Sequence, residues 1–318
     1  MKYSRFVKKI WEYITRPEKV IFMLDKWHWL YNLSDDNFVR FMWRATQGTF
    51  INLKNPKTFN EKLQWMKLYY HKPEFTTMVD KYAVKKYISD KIGPEYVIPL
   101  LGVWDKPEDI DFDKLPNQFV LKCNHTSLIG LVICKDKSKL DIKATIEELN
   151  RGLQDDFFKR SREWPYKNVV RKIIAEEYKE DESGVELKDY KLYCFDGEPF
   201  FCQVDFGKTG EGKSRRQFTR NLYDMDWNFM DIQYSHPNDP TTMIPKPSQF
   251  EKMKELARIL SKGEPFMRTD FYNIGDQILF SEITFYPIAG FGWFKPKEWE
   301  RKLGDMIKLP AKQDYVKD

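Results

Sequence analysis

Two apolar runs, Tyr190–Phe195 and Pro199–Phe206, flank the dipeptide Asp196-Gly197. An Asp-Gly pair supplies the two positive-φ positions of a tight hairpin, so the runs are predicted to be adjacent antiparallel strands. That constraint governs the reading of Gly207-Lys-Thr-Gly-Glu-Gly-Lys-Ser214, which fits G-x-x-x-x-G-K-[ST]. A phosphate-cradling loop of that type joins a buried parallel strand to a helix, whose first N–H groups face the phosphates. Here the stretch follows a hairpin strand and precedes an aromatic, interrupted run, Arg215–Trp227. It is read as a surface loop and not as a nucleotide site.

Aromatic residues make up 16% of the 318 positions and hydrophobic residues 42%, enough for a sizeable core. The best apolar run, Val20–Leu24, is closed by Asp25 and Lys26 and falls far short of the roughly 18 residues of a membrane span. The start MKYSRFVKKI lacks the apolar region of a secretory signal, so a cytoplasmic chain is expected. Cys123, Cys134, Cys194 and Cys202 lie in strand-like runs without C-x-x-C spacing and read as buried free thiols. The four histidines show no zinc-ligand spacing.

Residues 1–60 carry eleven Lys/Arg against five Asp/Glu, so the basic surplus is local and a nucleic-acid groove is not expected. Tyr3, Phe6, Val7, Ile10 and Ile14 share one face of a basic helix over 2–16. Docking of that face on the body is the favoured expectation. The alternative is peripheral contact with the inner face of a membrane.

Thr58-Phe-Asn-Glu61 is a capping box that starts a helix, and a further helix is predicted over 74–92, ending at Gly93-Pro94. Phe119–Cys123 and Leu131–Cys134 read as strands, 141–158 as a helix, and Lys172–Ala175 and a pair around 266–284 as strands. The fold class is α+β: a helical region over 1–95, then a mixed body over 96–318.

Long stretches in chain order carry a family likeness: NPKTFNEKLQW (55–65), VDKYAVKKYI (79–88), PNQFVLKCNH (116–125), CKDKSKLD (134–141), REWPYKN (162–168), IIAEEY (173–178), DYKLYCFDGEP (189–199) and ITFYP (283–287). They resemble the ATP-grasp superfamily, and most closely its TupA-like branch, associated with teichuronopeptide and capsular polysaccharide synthesis in bacteria. The resemblance implies a two-lobed body holding ATP and Mg²⁺, with 96–175 as the small lobe and 176–318 as the lobe with the metal site.

It implies that Lys85 and Lys122 hold phosphates, with Ser127 in the turn after the lysine strand. Glu176, Glu177 and Tyr178 form the adenine hinge, Asp189 takes the ribose, and Lys191 joins the nucleotide contacts. Arg268 and Lys122 would be catalytic, and Asp270, Glu282 and Thr284 would hold the metal. The implied reaction activates a carboxylate as an acyl phosphate, which an amine attacks to give an amide. The substrates would be a uronic-acid-containing saccharide or an amino acid. Two departures stand out: Thr126–Gly130 keeps one glycine where the family loop is glycine-rich, and Thr284 replaces a metal-binding Asn.

Strand parity adds an independent expectation. Arg268, Asp270 and Tyr272 share one face, and Phe280, Glu282 and Thr284 share one face of the next strand. Pairing Asp270 with Glu282 sets Arg268 opposite Thr284 and Tyr272 opposite Phe280. Two adjacent carboxylates repel, so one pKa should rise unless a cation intervenes. Asp224-Met-Asp226 is a D-x-D, the pattern that holds metal and nucleotide-sugar in many glycosyltransferases; turn aspartates explain it as well. A degenerate nucleotide-binding member of the family is the third reading.

Overall fold

Ser34 starts α1 (Asp35–Gln47), the first α-helix among the described residues, by accepting the Asn37 N–H, and Gly48 ends it at φ +70°. The computed structural model describes residues 29–181, 187–207 and 218–312; the helix expected over 2–16 and residues 208–214 lie outside them. The capping box forms as read: Thr58 Oγ1 accepts from Glu61 N–H at 3.3 Å, and Glu61 Oε2 accepts from Thr58 N–H at 3.0 Å. It opens α2 (Phe59–Tyr69). The helix predicted over 74–92 is two, α3 (Glu74–Val79) and α4 (Ala83–Lys91). The break is at Asp80, whose Oδ1 takes the N–H groups of Tyr82 and Ala83 and so competes with the helical ladder.

Four strands then build a small antiparallel sheet: β1 (Leu100–Trp104), β2 (Phe119–Cys123), β3 (Leu131–Cys134) and β4 (Ile173–Glu177), in the order β1-β4-β2-β3. Strand β1 was not anticipated from sequence. Between β3 and β4 lie α5 (Ile142–Gln154) and α6 (Phe157–Ser161), where one helix over 141–158 was expected. Asp156 caps the second by accepting Lys159 N–H at 3.0 Å, which splits the run. Phe119, Leu121 and Cys123 alternate inward and pack with Leu149 of α5.

The larger sheet contains β5 (Asp189–Phe195), β6 (Glu198–Phe206), β7 (Thr219–Asp224) and β8 (Phe229–Met230). After the short β9 (Gln233–Tyr234) and helix α7 (Phe250–Ser261) come β10 (Phe266–Ile274) and β11 (Gln277–Thr284). Its order is β11-β10-β5-β6-β7-β8, with every neighbouring pair antiparallel. Asp196 and Gly197 both adopt positive φ, as the hairpin requires. Strand β6, which leads into Gly207, therefore lacks the parallel setting that a P-loop needs. β12 (Phe294–Lys295) pairs with β9, and α8 (Glu298–Met306) packs on α2. The main core joins α2, α3 and α7 to this sheet through an aromatic cluster that includes Phe59, Phe195 and Phe266. All four cysteines are free and buried. Among the described residues no helix is long and apolar enough to cross a membrane.

Glu61 also accepts Lys57 N–H at 2.9 Å, so the box anchors the loop that enters α2. Thr58→Ala and Glu61→Ala are each expected to cost about 1 kcal/mol of stability. Urea unfolding checks this: the midpoint falls while the m-value stays unchanged.

Candidate active site

The two sheets face one another across a cleft of about 660 Å³. One wall comes from β2, β3 and β4 with the turn after β2; the other comes from β5, β6, β10 and β11 with Arg220 of β7. Of the residues singled out in the sequence, Lys122, Ser127, Glu176, Glu177, Tyr178, Asp189, Lys191, Arg268 and Glu282 line this one space.

On the small-sheet wall, Glu176 gathers the cations. Its Oε2 lies 2.5 Å from Lys122 Nζ and its Oε1 lies 2.6 Å from Lys85 Nζ. Burial opposes ionisation of Glu176, but the two ammonium groups outweigh it and hold the carboxyl below its ordinary range. Lys85 does not line the cleft; its ammonium also donates to the Ile98 carbonyl at 2.7 Å.

Lys81, four positions earlier, does line the cleft, and sequence reading missed it. Asp80 Oδ1 accepts from Asn124 Nδ2 at 2.8 Å, and Lys81 N–H donates to the Asn124 carbonyl at 3.1 Å. These bonds fix Lys81 at the end of β2, where Nζ donates to the Thr126 carbonyl at 2.8 Å. The only sequence signal was its place beside Asp80: Lys81 precedes α4, so helical periodicity could not separate it from Lys85.

The turn after β2 carries bulky side chains on the cleft. Leu128 is 53% exposed at φ +68°, and Ile129 also lines the wall. The surviving glycine answers to packing. A Cβ on Gly130 would stand 2.8 Å from Gly152 Cα of α5 and 2.6 Å from Cys123 Sγ.

On the large-sheet wall, Arg268 pairs with Thr284 and Asp270 with Glu282, as expected from parity. Beyond them the expectation is corrected. A bulge shifts the register, so that Phe271 faces Phe280 and Tyr272 faces Leu279. The closing turn is the two-residue Gly275-Asp276, with Ile274 opposite Gln277. Asp270 is 0% exposed and does not line the cleft. Arg268 Nε and one terminal nitrogen grip its two oxygens at 2.7 and 2.6 Å, and Lys191 Nζ adds a third contact at 3.0 Å. The same Arg268 nitrogen reaches Glu282 Oε1 at 2.6 Å, and Thr284 Oγ1 donates to that oxygen at 3.2 Å. Lys191 also contacts Asp189 at 3.0 Å.

The pair separates electrostatically. Burial pushes the Asp270 carboxyl up despite Arg268 and Lys191. Burial also opposes ionisation of Glu282, but Arg268, Lys191 and Lys81 outweigh it and hold that carboxyl at about 2.

Further along the wall Asp205 accepts from Arg220 Nε at 2.7 Å and from Gln203 Nε2 at 2.9 Å. These residues were also missed, although polar positions 203 and 205 alternate within an otherwise apolar strand. Asp224 lies elsewhere: its Oδ1 accepts the N–H groups of Asp226 and Asn228, so the D-x-D is built as a turn. Among the described residues no cluster of three or more His, Cys, Asp or Glu could hold a metal by itself.

The TupA-like ATPgrasp family model matches residues 61–308. No curated protein matches the chain. Solved structures similar to it include the following three. The D-alanine–D-alanine ligase from Bacillus anthracis is 17% identical over 73% of this chain and 66% of its own, with a TM-score of 0.40. The enzyme of that name from Helicobacter pylori is 14% identical, covering 74% and 60%, with a TM-score of 0.39. D-alanyl-alanine synthetase A from Vibrio cholerae is 13% identical, covering 77% and 62%, with a TM-score of 0.41. The chain thus spans less than two thirds of the length of each.

Asp270→Ala leaves Arg268 and Lys191 without their shared counter-ion and is expected to cost about 3–5 kcal/mol in denaturant unfolding. Glu282 acts on acid stability. Its folded pKa of about 2 lies below the ordinary 4.5, so its contribution is present above 4.5 and is lost as pH falls toward 2. Thermal melts from pH 5 to 2 should therefore fall less steeply for Glu282→Gln than for the wild type.

Proposed function

The chain belongs to the TupA-like ATPgrasp family, and on that premise we propose that it is an ATP-dependent carboxylate–amine ligase of bacterial surface-polysaccharide synthesis. The observation that carries the reading is the convergence of Lys81, Lys122, Arg268 and Glu282 on one cleft between two sheets. Cations on one wall and a carboxylate on the other suit a nucleotide polyphosphate with its metal. In this reading 96–175 and 176–318 act as two lobes closing on the nucleotide.

Lys122 and Lys81 would hold phosphate oxygens, exchanging Glu176 and the Thr126 carbonyl for the ligand. Val120, Leu131 and Ile133 give an apolar wall for the base, and Glu177 and Tyr178 would offer backbone groups at the strand end. Asp189 would take ribose hydroxyls. The donor set fits Mg²⁺, which prefers one or two carboxylates together with phosphate oxygens and water. Among the described residues the hydrogen bonds to Glu282 end on Oε1, which leaves Oε2 as a ligand, with Thr284 beside it. Asp270 would act from beneath, as counter-ion to Arg268. When bound, Mg²⁺ supplies neutralisation of phosphate charge. Arg268, held in a fixed fork, would face the oxygens on which charge develops.

The substrates in this reading are a uronic-acid-containing saccharide as carboxylate donor and an amino acid as amine. The location would be cytoplasmic, where ATP is supplied, with residues 2–16 available for contact with the membrane's inner face.

Calorimetry with Mg-ATP tests the site. Lys122→Ala is expected to weaken binding about tenfold or more, the loss of a charge-assisted phosphate contact. Lys213→Ala should leave it within about twofold. Loss only at Lys213 would move the nucleotide to the Gly207–Ser214 loop and sink the assignment.

A further inference from the structure

We propose that the face formed by the end of α1, the extended run 50–57 and the segment 291–297 docks on an anionic phospholipid bilayer. The proposal stands apart from the ligase reading, and none of the side chains it uses lines the cleft.

Backbone alternation turns the side chains outward. Ile51 and Leu53 are buried in the main core, so Phe50 and Lys54 point away from it, and Phe50 is 85% exposed. The same holds at β12. Phe294 stacks on Tyr234 with ring centres 4.3 Å apart, which turns Trp293 and Lys295 outward, and Trp293 is 45% exposed. Gln47 ties the two segments together: its Nε2 donates to the carbonyls of Phe291 at 3.0 Å and Gly292 at 3.1 Å. Phe41 and Arg44, both exposed, lie three apart on one side of α1, and the Arg44 guanidinium sits 4.9 Å from the Phe50 ring centre. Lys57 lies against Gly304 of α8, the helix that Lys297 precedes.

The charge on this face has one sign. Residues 40–57 hold four Lys/Arg, residues 283–297 hold two, and neither stretch contains an Asp or Glu. Arg40 pairs with Asp36 at 2.6 Å. The other five cations form no ion pair among the described residues. Exposed aromatic rings set among unpaired cations mark a surface with a partner. An anionic bilayer meets both features. The rings enter the headgroup region and shed water, while each cation facing lipid phosphate gains about fivefold in partitioning. A nucleic-acid strand stacks its bases on open ring faces, and Arg44 already covers one face of Phe50.

The full chain is sedimented at low salt with vesicles of equal parts phosphatidylglycerol and phosphatidylcholine. Lys54→Glu/Lys295→Glu should lower the partition coefficient about 20-fold or more, and Phe50→Ser about fivefold. Lys106→Glu/Lys143→Glu makes the same change in net charge at exposed sites elsewhere, and should leave binding within about twofold. Because the four native thiols are buried, Phe50→Cys takes an environment-sensitive dye selectively, and its emission should shift to the blue on adding vesicles. A wild type that does not bind vesicles overturns the proposal, as does equal loss in the two double variants. Vesicle binding with an unmoved dye overturns it too. A dye already blue without lipid assigns the face to the chain's own residues, and a shift that grows with protein concentration alone assigns it to a second copy. Binding of poly(U) in place of vesicles, lost in Lys54→Glu/Lys295→Glu, assigns it to nucleic acid. Each of these three results also overturns the membrane assignment.

Discussion

Asp270 has no solvent and cannot stay charged without company. Its two oxygens are held by Arg268 and Lys191, and this three-ion contact sets the geometry of the large-sheet wall. Asp270 fixes the guanidinium plane, which lets the same nitrogen reach Glu282. It also holds Lys191 between two carboxylates, across the strand boundary from Asp189. The row Gln203, Lys191, Asp270, Glu282 crosses four adjacent strands in register. A one-residue slip anywhere along it would bury an unpaired charge, a penalty of several kcal/mol, so electrostatics specifies the register as firmly as the apolar pattern does.

The opposite wall is organised differently. There a carboxylate, Glu176, is the hub and two lysines are its spokes. A polyanion entering the cleft would meet Lys122 already oriented, but would have to draw it from Glu176. Such an exchange tempers affinity, because part of the gain goes into separating an existing ion pair.

Much of this was legible in the chain, and the failures have physical causes. The hairpins, the capping box and the Asp270–Glu282 pairing follow from residue types that leave the backbone few choices. Asp80 and Asp156 broke two predicted helices because their side chains capture backbone N–H groups, which an apolar period does not report. Strand β1 was overlooked because Leu100–Trp104 is short and only half-buried throughout. Of the candidate site, residues on strands were placed well by alternation. Lys81 was not, since its position depends on hydrogen bonds to Asn124, forty-odd residues away.

The bulge in β11 changes what one strand can do. Phe280 and Glu282 are two residues apart and would ordinarily point the same way. The extra residue, Ser281, lets Phe280 meet Phe271 in the core while Glu282 stays opposite Asp270 and lines the cleft. The strand thus changes allegiance midway, its first half serving the core and its second the cleft. Insertions are tolerated at a loop but not beside such a joint, where one residue more or fewer would exchange the two duties and turn a phenyl ring into the cleft.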